Sequence, residues 1–554
     1  MKNFQPFKII ATVIILLIIS SLMGTSKNPK LFVTLHQQNA HLLHVNSAFA
    51  SVASLDFGAF KSPQISIAQN KKKAIDDSKK YVFDYLNDPA AIKRFGLISD
   101  DIWRFAELGM QETQSSALLI KTLEEEGFTV ERNVAGMPTC FVATWGSGQP
   151  VIGLLGEYDA LPMISQKPLI PVQDPLVSGA PGHGCGHNMM GTAGVAALIA
   201  LKKSMEKYQL KGTIKFFGSP AEETLVSRPY MVRAGVFNGI DAVIDNHSSS
   251  DFSTSHGAHG TAMISVVFTF KGKTTHAASA PWSGRSALDG VELMNIAANF
   301  LREHLFYTHR LHYIITEGGE APNVVPDKAS VWYYIRNTDE RLETMYERVL
   351  DCAKGAAIAS GTVLDTVIVL TASHQRHGNK VIAEAIQANI ERIGMPEWTD
   401  TENAFAKALQ KEIGAKETGF PTEPKKWSDP SDIQVGGGSS DVGEVTLVVP
   451  TATVNFPGIV PGAISHHWSY VSSSFGSAAW KGLNAGAKAI AATAFDLLTN
   501  PQLLEDAKKE FDRYMKDRPY KSFLPDGAQP PLEMNKQLMD KFRESMIKMT
   551  IVEE

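Results

Sequence analysis

The chain has 554 residues, 44% hydrophobic and 20% charged, with a formal net charge of −5. This is the composition of a globular protein of more than one domain, and it leaves no basic footprint for nucleic acid. Three cysteines, Cys140, Cys185 and Cys352, cannot build a disulfide framework, and the odd count leaves at least one thiol free or liganding.

Lys2 and Lys8 precede an apolar run, IIATVIILLIISSLMG, at 9–24. The run is shorter than the roughly 20 residues of a membrane span, so it predicts a secretory leader or an N-terminal anchor. A small-x-small site, AFA, stands at 48–50. Export to the periplasm or the exterior is expected, with the leader as the only membrane contact. Residues 1–70 are set aside as leader or anchor and linker.

The region 71–257 alternates helices and strands. KKKAIDDSKKYVFDYL, from 71, is an amphipathic helix, and ALLIKTLEEEGFTVER (117–132) continues the helical pattern. PVIGLLGEYDALP (150–162), GTIKFFGSPAEET (212–224) and AVIDNHSS (242–249) are strands, and MMGTAGVAALIALKKSMEKY (189–208) is a helix between the first two. The alternation predicts an α/β fold with a mixed, largely parallel sheet and helices on both faces. Each of the three strands ends in Asp, Glu or His, where open α/β sheets gather functional groups.

The pattern changes at 258. TAMISVVFTFKGK (261–273), KASVWYYIRNT (328–338) and TVLDTVIVLTAS (362–373) alternate as strands, with helices over 286–305 and 340–361. Residues 258–377 therefore read as an inserted α+β domain. The first fold resumes over 378–500, with a polar surface excursion at 401–432 and a closing helix at 476–499. Residues 501–554 are a charged C-terminal extension.

Five elements can carry chemistry. Cys185 and His187, in GHGCGHNMM, offer a thiolate and an imidazole two residues apart, both good first-row metal ligands. A buried cysteine can equally be a small apolar residue. Glu222–Glu223 can divide cation binding from general-base work, or can simply sit in a helix first turn. His247 ends a strand, and His466–His467 follow a turn-rich loop. Asp159 can orient a liganding histidine from behind. Cys185, His187, Glu223, His247 and His466 would suffice for two divalent ions sharing a bridge.

GEYDALP, GHGCGHNMMGTAG, GSPAEET, THAASAPWSGRSALDG, APNVVPDKA and HHWSY, in that order over about 75–500, resemble a family of two-metal amidohydrolases. The family contains aminoacylases, plant auxin-conjugate hydrolases and glutamate-releasing carboxypeptidases. The resemblance implies Cys185, His187, Glu223, His247 and His466 as ligands of two Zn or Mn ions, with His467 competing for the last place. It implies Glu222 as catalytic base and Asp159 behind His187. Glu157 falls where some members have a ligand. Asn188 replaces an Asp of the aminoacylase branch, which favours the aminobenzoyl-glutamate branch. The inserted domain matches a lid that also dimerises, with His276 as a catalytic histidine given to the partner protomer. Asn323 matches a substrate-binding residue, and Arg336 fits either a clamp on the substrate carboxylate or a buried structural role. The GGGSSD loop (436–441) resembles one lining the substrate site, and it lacks the Lys of a phosphate-binding loop. The implied reaction is cleavage of an N-acyl amino acid, aminobenzoyl-glutamate first, by a homodimer or by a heteromer with a related chain.

Overall fold

The computed structural model describes residues 63–430 and 437–552, with side chains over 74–430 and 437–546. The apolar run 9–24 and the AFA site lie outside the described residues. The chain divides into units Met1–Lys71 and Lys72–Glu554, and everything below concerns the second.

The strands are β1 (Thr129–Arg132), β2 (Phe141–Ser147), β3 (Val151–Glu157), β4 (Gly212–Ser219), β5 (Ala242–Ser248), β6 (Ser253–Ser255), β7 (Gly257–His259), β8 (Ala262–Lys271), β9 (Arg310–Glu317), β10 (Lys328–Asn337), β11 (Val363–Ser373), β12 (Arg376–Gly378) and β13 (Thr451–Phe456). The main sheet has the order β1-β2-β4-β3-β5-β13-β6. Its middle strands β4, β3, β5 and β13 run parallel, and β1, β2 and β6 add antiparallel edges. The middle strands are buried on both faces. Ile152 and Leu154 of β3 enter one core, and Leu155 enters the other. That double burial is why these strands read as continuous apolar runs.

Helices His187–Tyr208 and Gly476–Thr499 cover one face of this sheet. The first is apolar all round and carries small residues because it lies directly against β3. A Cβ on Gly191 would lie 2.6 Å from the Glu157 carbonyl. This approach brings the helix N-terminus, with His187, to the carboxyl end of β3.

The inserted block is an antiparallel sheet of order β11-β8-β10-β9. Both of its crossings with the rest of the chain lie in one short ladder, β7 with β12, where Ala258 pairs with His377. Helices Ala287–Leu301 and Asp339–Ser360 pack on one side, where Val331, Tyr333 and Ile335 of β10 are buried. Trp332, Tyr334 and Arg336 alternate to the other side. Strand β9 escapes the sequence reading because half of RLHYIITE is polar and it lies at an exposed edge.

Two expectations are corrected. The stretch 401–432 is not simply a surface excursion. Helix Asp400–Glu412 opens with a Thr399/Glu402 capping box and buries Ala406 and Leu409 with Phe420, Val460 and Trp468. The C-terminal extension also enters the fold. Leu524 lies in the core beneath the inserted block, and Met539 and Phe542 pack against Leu108 and Ala160. Its charged residues occupy the outward positions of amphipathic helices, which hides these contacts in the composition.

Where β11 returns to the main fold, buried His374 donates from Nδ1 to Glu444 Oε1 at 2.6 Å and stacks on Phe523. Burial alone would lower the His374 pKa. The Glu444 charge and hydrogen bond outweigh it and hold the pKa above the ordinary histidine value. A raised folded-state pKa stabilises the fold fully below the unfolded value of about 6.5, and that gain is lost as pH climbs through the raised value. The stability advantage of the wild type over His374→Gln should therefore be on the order of 1–3 kcal/mol at about pH 6 and shrink at alkaline pH. Thermal melts of both proteins across pH check this, and a pH-independent gap would contradict it.

Candidate metal centre and substrate cavity

Four parallel strands deliver their carboxyl ends to one edge of the main sheet. Glu157 ends β3, Asp159 follows it, Glu222 and Glu223 follow β4, His247 lies near the end of β5, and His466 follows β13. Cys185 and His187 arrive at the same edge through the start of helix His187–Tyr208.

The glycine between Cys185 and His187 is required twice. Gly186 has φ +73°, and a Cβ there would run into the Ser248 hydroxyl. Ser248 in turn donates to the Cys185 carbonyl at 2.8 Å. The turn places the thiol and the imidazole on one side. His187 Nδ1 donates to Asp159 Oδ1 at 2.8 Å, which leaves Nε2 facing the cluster. His247 Nδ1 donates to the Ser248 carbonyl at 2.7 Å, which leaves its Nε2 3.5 Å from Cys185 Sγ.

Three donor sets assemble within 4.8 Å: Cys185 with His187 and His247, Cys185 with Glu223 and His466, and Glu157 with His187 and Glu222. Cys185 belongs to the first two. His466 Nε2 lies 3.2 Å from Glu223 Oε2, at a residue with φ +61°. His467 is not in the cluster: its Nδ1 bonds Ser469 and caps helix Trp468–Ser473. His183 is likewise structural, buried against the Ile102 carbonyl at 3.0 Å.

The site holds buried ligand atoms without hydrogen-bond partners among the described residues, and titratable groups whose pKa values are shifted by one another. His187 Nε2, Glu157 Oε2 and Glu223 Oε1 are buried with no hydrogen-bond partner among the described residues. His187 Nε2 stands 3.4 Å from Glu157 Oε2 and 3.8 Å from Glu222 and Glu223 oxygens. Burial opposes ionisation of Cys185, but the His247 charge and hydrogen bonds from three histidines hold its thiol well below the usual range. Burial pushes Glu222 up to about 7, against the pull of His187. Hydrogen bonds to Cys185 and Glu223 raise His466 to about 10. A divalent cation would compete with protons for these ligand atoms. Thiolate, imidazole and carboxylate together fit a first-row metal.

A second layer escaped the sequence reading. Arg228 is fully buried, pairing with Glu157 Oε1 at 2.7 Å and with Asp441. Asp441 therefore sits beneath the cluster, although it ends the loop read as lining the substrate site. Gly436 of that loop lies outside the described residues. Glu112 accepts from the Ala221 amide at 2.8 Å and so fixes the turn that presents Glu222. Burial, then the Asp159 charge, pushes Glu112 up to about 8. None of these residues has a spacing that marks it, because each acts through a contact distant in sequence.

A cavity of about 360 Å³ opens beside Glu223 and His466, walled by Trp332, Tyr334 and Arg336 of β10. Arg336 donates to the Ser439 hydroxyl at 3.2 Å, and its buried Nε has no partner among the described residues. A guanidinium so placed can pair with an anion. His276 and Asn323 do not join this cavity. Both are exposed and lie together, joined by the Ala277 amide to the Asn323 carbonyl at 3.0 Å.

Comparisons with known proteins identify the family. Residues 153–549 match the model of peptidase family M20/M25/M40. One of the two kinds of subunit of p-aminobenzoyl-glutamate hydrolase, from Escherichia coli (strain K12), is 35% identical over 478 residues, covering 81% of this chain and 98% of the relative. The Xaa-Arg dipeptidase of Mus musculus is 30% identical, over 76% of this chain and 89% of its own. Among solved structures, a putative aminohydrolase from methicillin resistant Staphylococcus aureus superposes with TM-score 0.53 at 18% identity, over 76% of this chain and all of that one. An aminobenzoyl-glutamate utilization protein from Klebsiella pneumoniae gives TM-score 0.51 at 16% identity, over 74% and 97%. The chain belongs to peptidase family M20/M25/M40 and is a metal-binding hydrolase of amide bonds.

Proposed function

We propose that the chain hydrolyses the amide bond of an N-acyl amino acid, p-aminobenzoyl-glutamate first, with two divalent cations that Cys185, His187, His247, Glu223 and His466 would hold. The observation that carries this reading is the double membership of Cys185 in two donor sets, with Glu222 3.8 Å from His187 and with Glu223 and His466 lining the cavity. Cys185, His187 and His247 would hold one ion, and Cys185, Glu223 and His466 the other. Thiolate and imidazole favour zinc, and the carboxylates admit manganese. When bound, such ions acidify a water and polarise the scissile carbonyl.

The chain's own residues do the rest. Glu222 takes the proton of the attacking water and passes it to the departing amine. Asp159 keeps His187 in one tautomer. Arg336 binds the free carboxylate of the amino acid portion, while Trp332 and Tyr334 offer flat faces to an aromatic acyl group. The Escherichia coli relative's name supports this choice of substrate.

Assembly through the inserted block is part of the proposal. Leu293, Ile296 and Phe300 form an exposed apolar stripe on helix Ala287–Leu301, and β9 leaves a free sheet edge. Pairing there, with a second copy or a related chain, would let His276 and Asn323 serve the partner's site. The relatives include both kinds of p-aminobenzoyl-glutamate hydrolase subunit, one from Escherichia coli and a homolog of the other from Haemophilus influenzae. The apolar run at 9–24 supports export.

Glu222→Gln should retain metal and lose about 10³-fold in kcat, read by elemental analysis and steady-state kinetics, and normal turnover would contradict the assignment. Cys185→Ala should lose both ions, whereas His247→Ala should lose chiefly one. Metal-to-protein ratios after dialysis decide, and retention of two ions by Cys185→Ala would refute the shared thiolate. Arg336→Met should raise KM on the order of 10–100-fold for substrates with a free carboxylate. Carboxamide-capped analogues should be unaffected, and an equal loss on both would assign Arg336 a structural role instead.

A further inference from the structure

The cavity wall has a contribution that neither the motif set nor the reaction accounts for. Asn535, from the C-terminal segment, lines the same cavity as Glu223, Tyr334, Arg336 and His466. It stands more than 300 residues after Glu223 in sequence. The segment is fastened where it passes the site. Gln111 Nε2 donates to the carbonyls of Leu532 at 3.1 Å and Met534 at 3.0 Å. Arg543 pairs with fully buried Glu107 and donates to the Gln111 carbonyl at 2.9 Å. Further back, Leu524 is buried in the core beneath the inserted block, and Tyr230 donates to the Gln529 carbonyl at 2.9 Å. The segment thus bridges the base of the inserted block and the loop 107–112, whose Glu112 fixes the turn before Glu222.

The residue type at 535 fits a working position. Its φ is +62°, a region that Asn tolerates better than other side chains. Its Nδ2 donates to the Gly109 carbonyl at 3.0 Å, which fixes the carboxamide. Among the described residues this is its only side-chain hydrogen bond, so Oδ1 remains as an acceptor at the cavity wall. The one carboxylate that lines the cavity, Glu223, is committed to a cation by the reading above. Asn535 Oδ1 offers a neutral acceptor that stays free for a substrate N–H.

We propose that Asn535, held in place by the C-terminal segment 516–546, completes the lining of the substrate cavity and accepts a hydrogen bond from a substrate N–H. This rests on the reading that the cavity takes an N-acyl amino acid. The test is calorimetric titration of metal-reconstituted Glu222→Gln protein with p-aminobenzoyl-glutamate, N-acetyl-glutamate and a dipeptide in parallel. Asn535→Gly, which removes the carboxamide and keeps the positive φ, should weaken the tightest of the three about tenfold with metal content unchanged. Arg543→Gln, which releases the segment, should weaken it in the same direction. With Glu222 intact, Asn535→Gly should raise KM about tenfold and leave kcat within about twofold. Failure of p-aminobenzoyl-glutamate to bind where the dipeptide binds would contradict the substrate reading alone, and the Asn535 comparison then runs on the dipeptide. Unchanged affinity in both Asn535→Gly and Arg543→Gln would overturn the proposal and reduce the segment to a structural cover.

Discussion

A thiolate, three imidazoles and several carboxylates meet at the end of one sheet, most of them out of contact with water. Like charges in low dielectric repel strongly, and unpaired buried polar atoms are costly. The fold tolerates the cluster because four of its members are held from outside. Asp159 holds His187, the Ser248 carbonyl holds His247, Arg228 holds Glu157, and Glu112 holds the turn before Glu222. What these contacts leave without a partner among the described residues are ligand atoms, His187 Nε2, Glu157 Oε2 and Glu223 Oε1, that a cation could take up. The metal chemistry follows from these atoms, and the strength of the scaffold sets how closely the groups can be kept.

The same logic links the site to the fold. Parallel strands put all their carboxyl ends on one edge, so ligands far apart in sequence converge. The small residues of helix His187–Tyr208 let it lie against β3 and bring Cys185 and His187 into register with Glu157. The inserted block shares a continuous apolar core with one face of the main sheet. That shared core orients β10, whose alternation sends Val331, Tyr333 and Ile335 inward and turns Trp332, Tyr334 and Arg336 to the cavity. Specificity and packing are therefore two faces of one strand.

The sequence made part of this legible. Cys185 and His187 open a helix, Glu223, His247 and His466 follow or end strands, and all are ligand-type residues, so pattern and chemistry coincide. The inserted block is visible because its strands alternate while the main strands do not. Arg228, Asp441 and Glu112 were not legible, because a buried buttress is defined by its partner rather than by its neighbours. The choice between His466 and His467 needed backbone geometry: one has φ +61° and turns to Glu223, and the other caps a helix. Strand β9 and the packing of the C-terminal segment were hidden by polar residues on their outer faces.

Under the proposed function, Cys185 would serve as a ligand of both cations. Anomalous diffraction at the metal edge, on crystals of protein reconstituted with zinc, tests it most directly. The account predicts two peaks within bonding distance of Cys185 Sγ, one beside His187 and His247 and the other beside Glu223 and His466. A single peak, or two peaks neither of which touches the Cys185 sulfur, would contradict it.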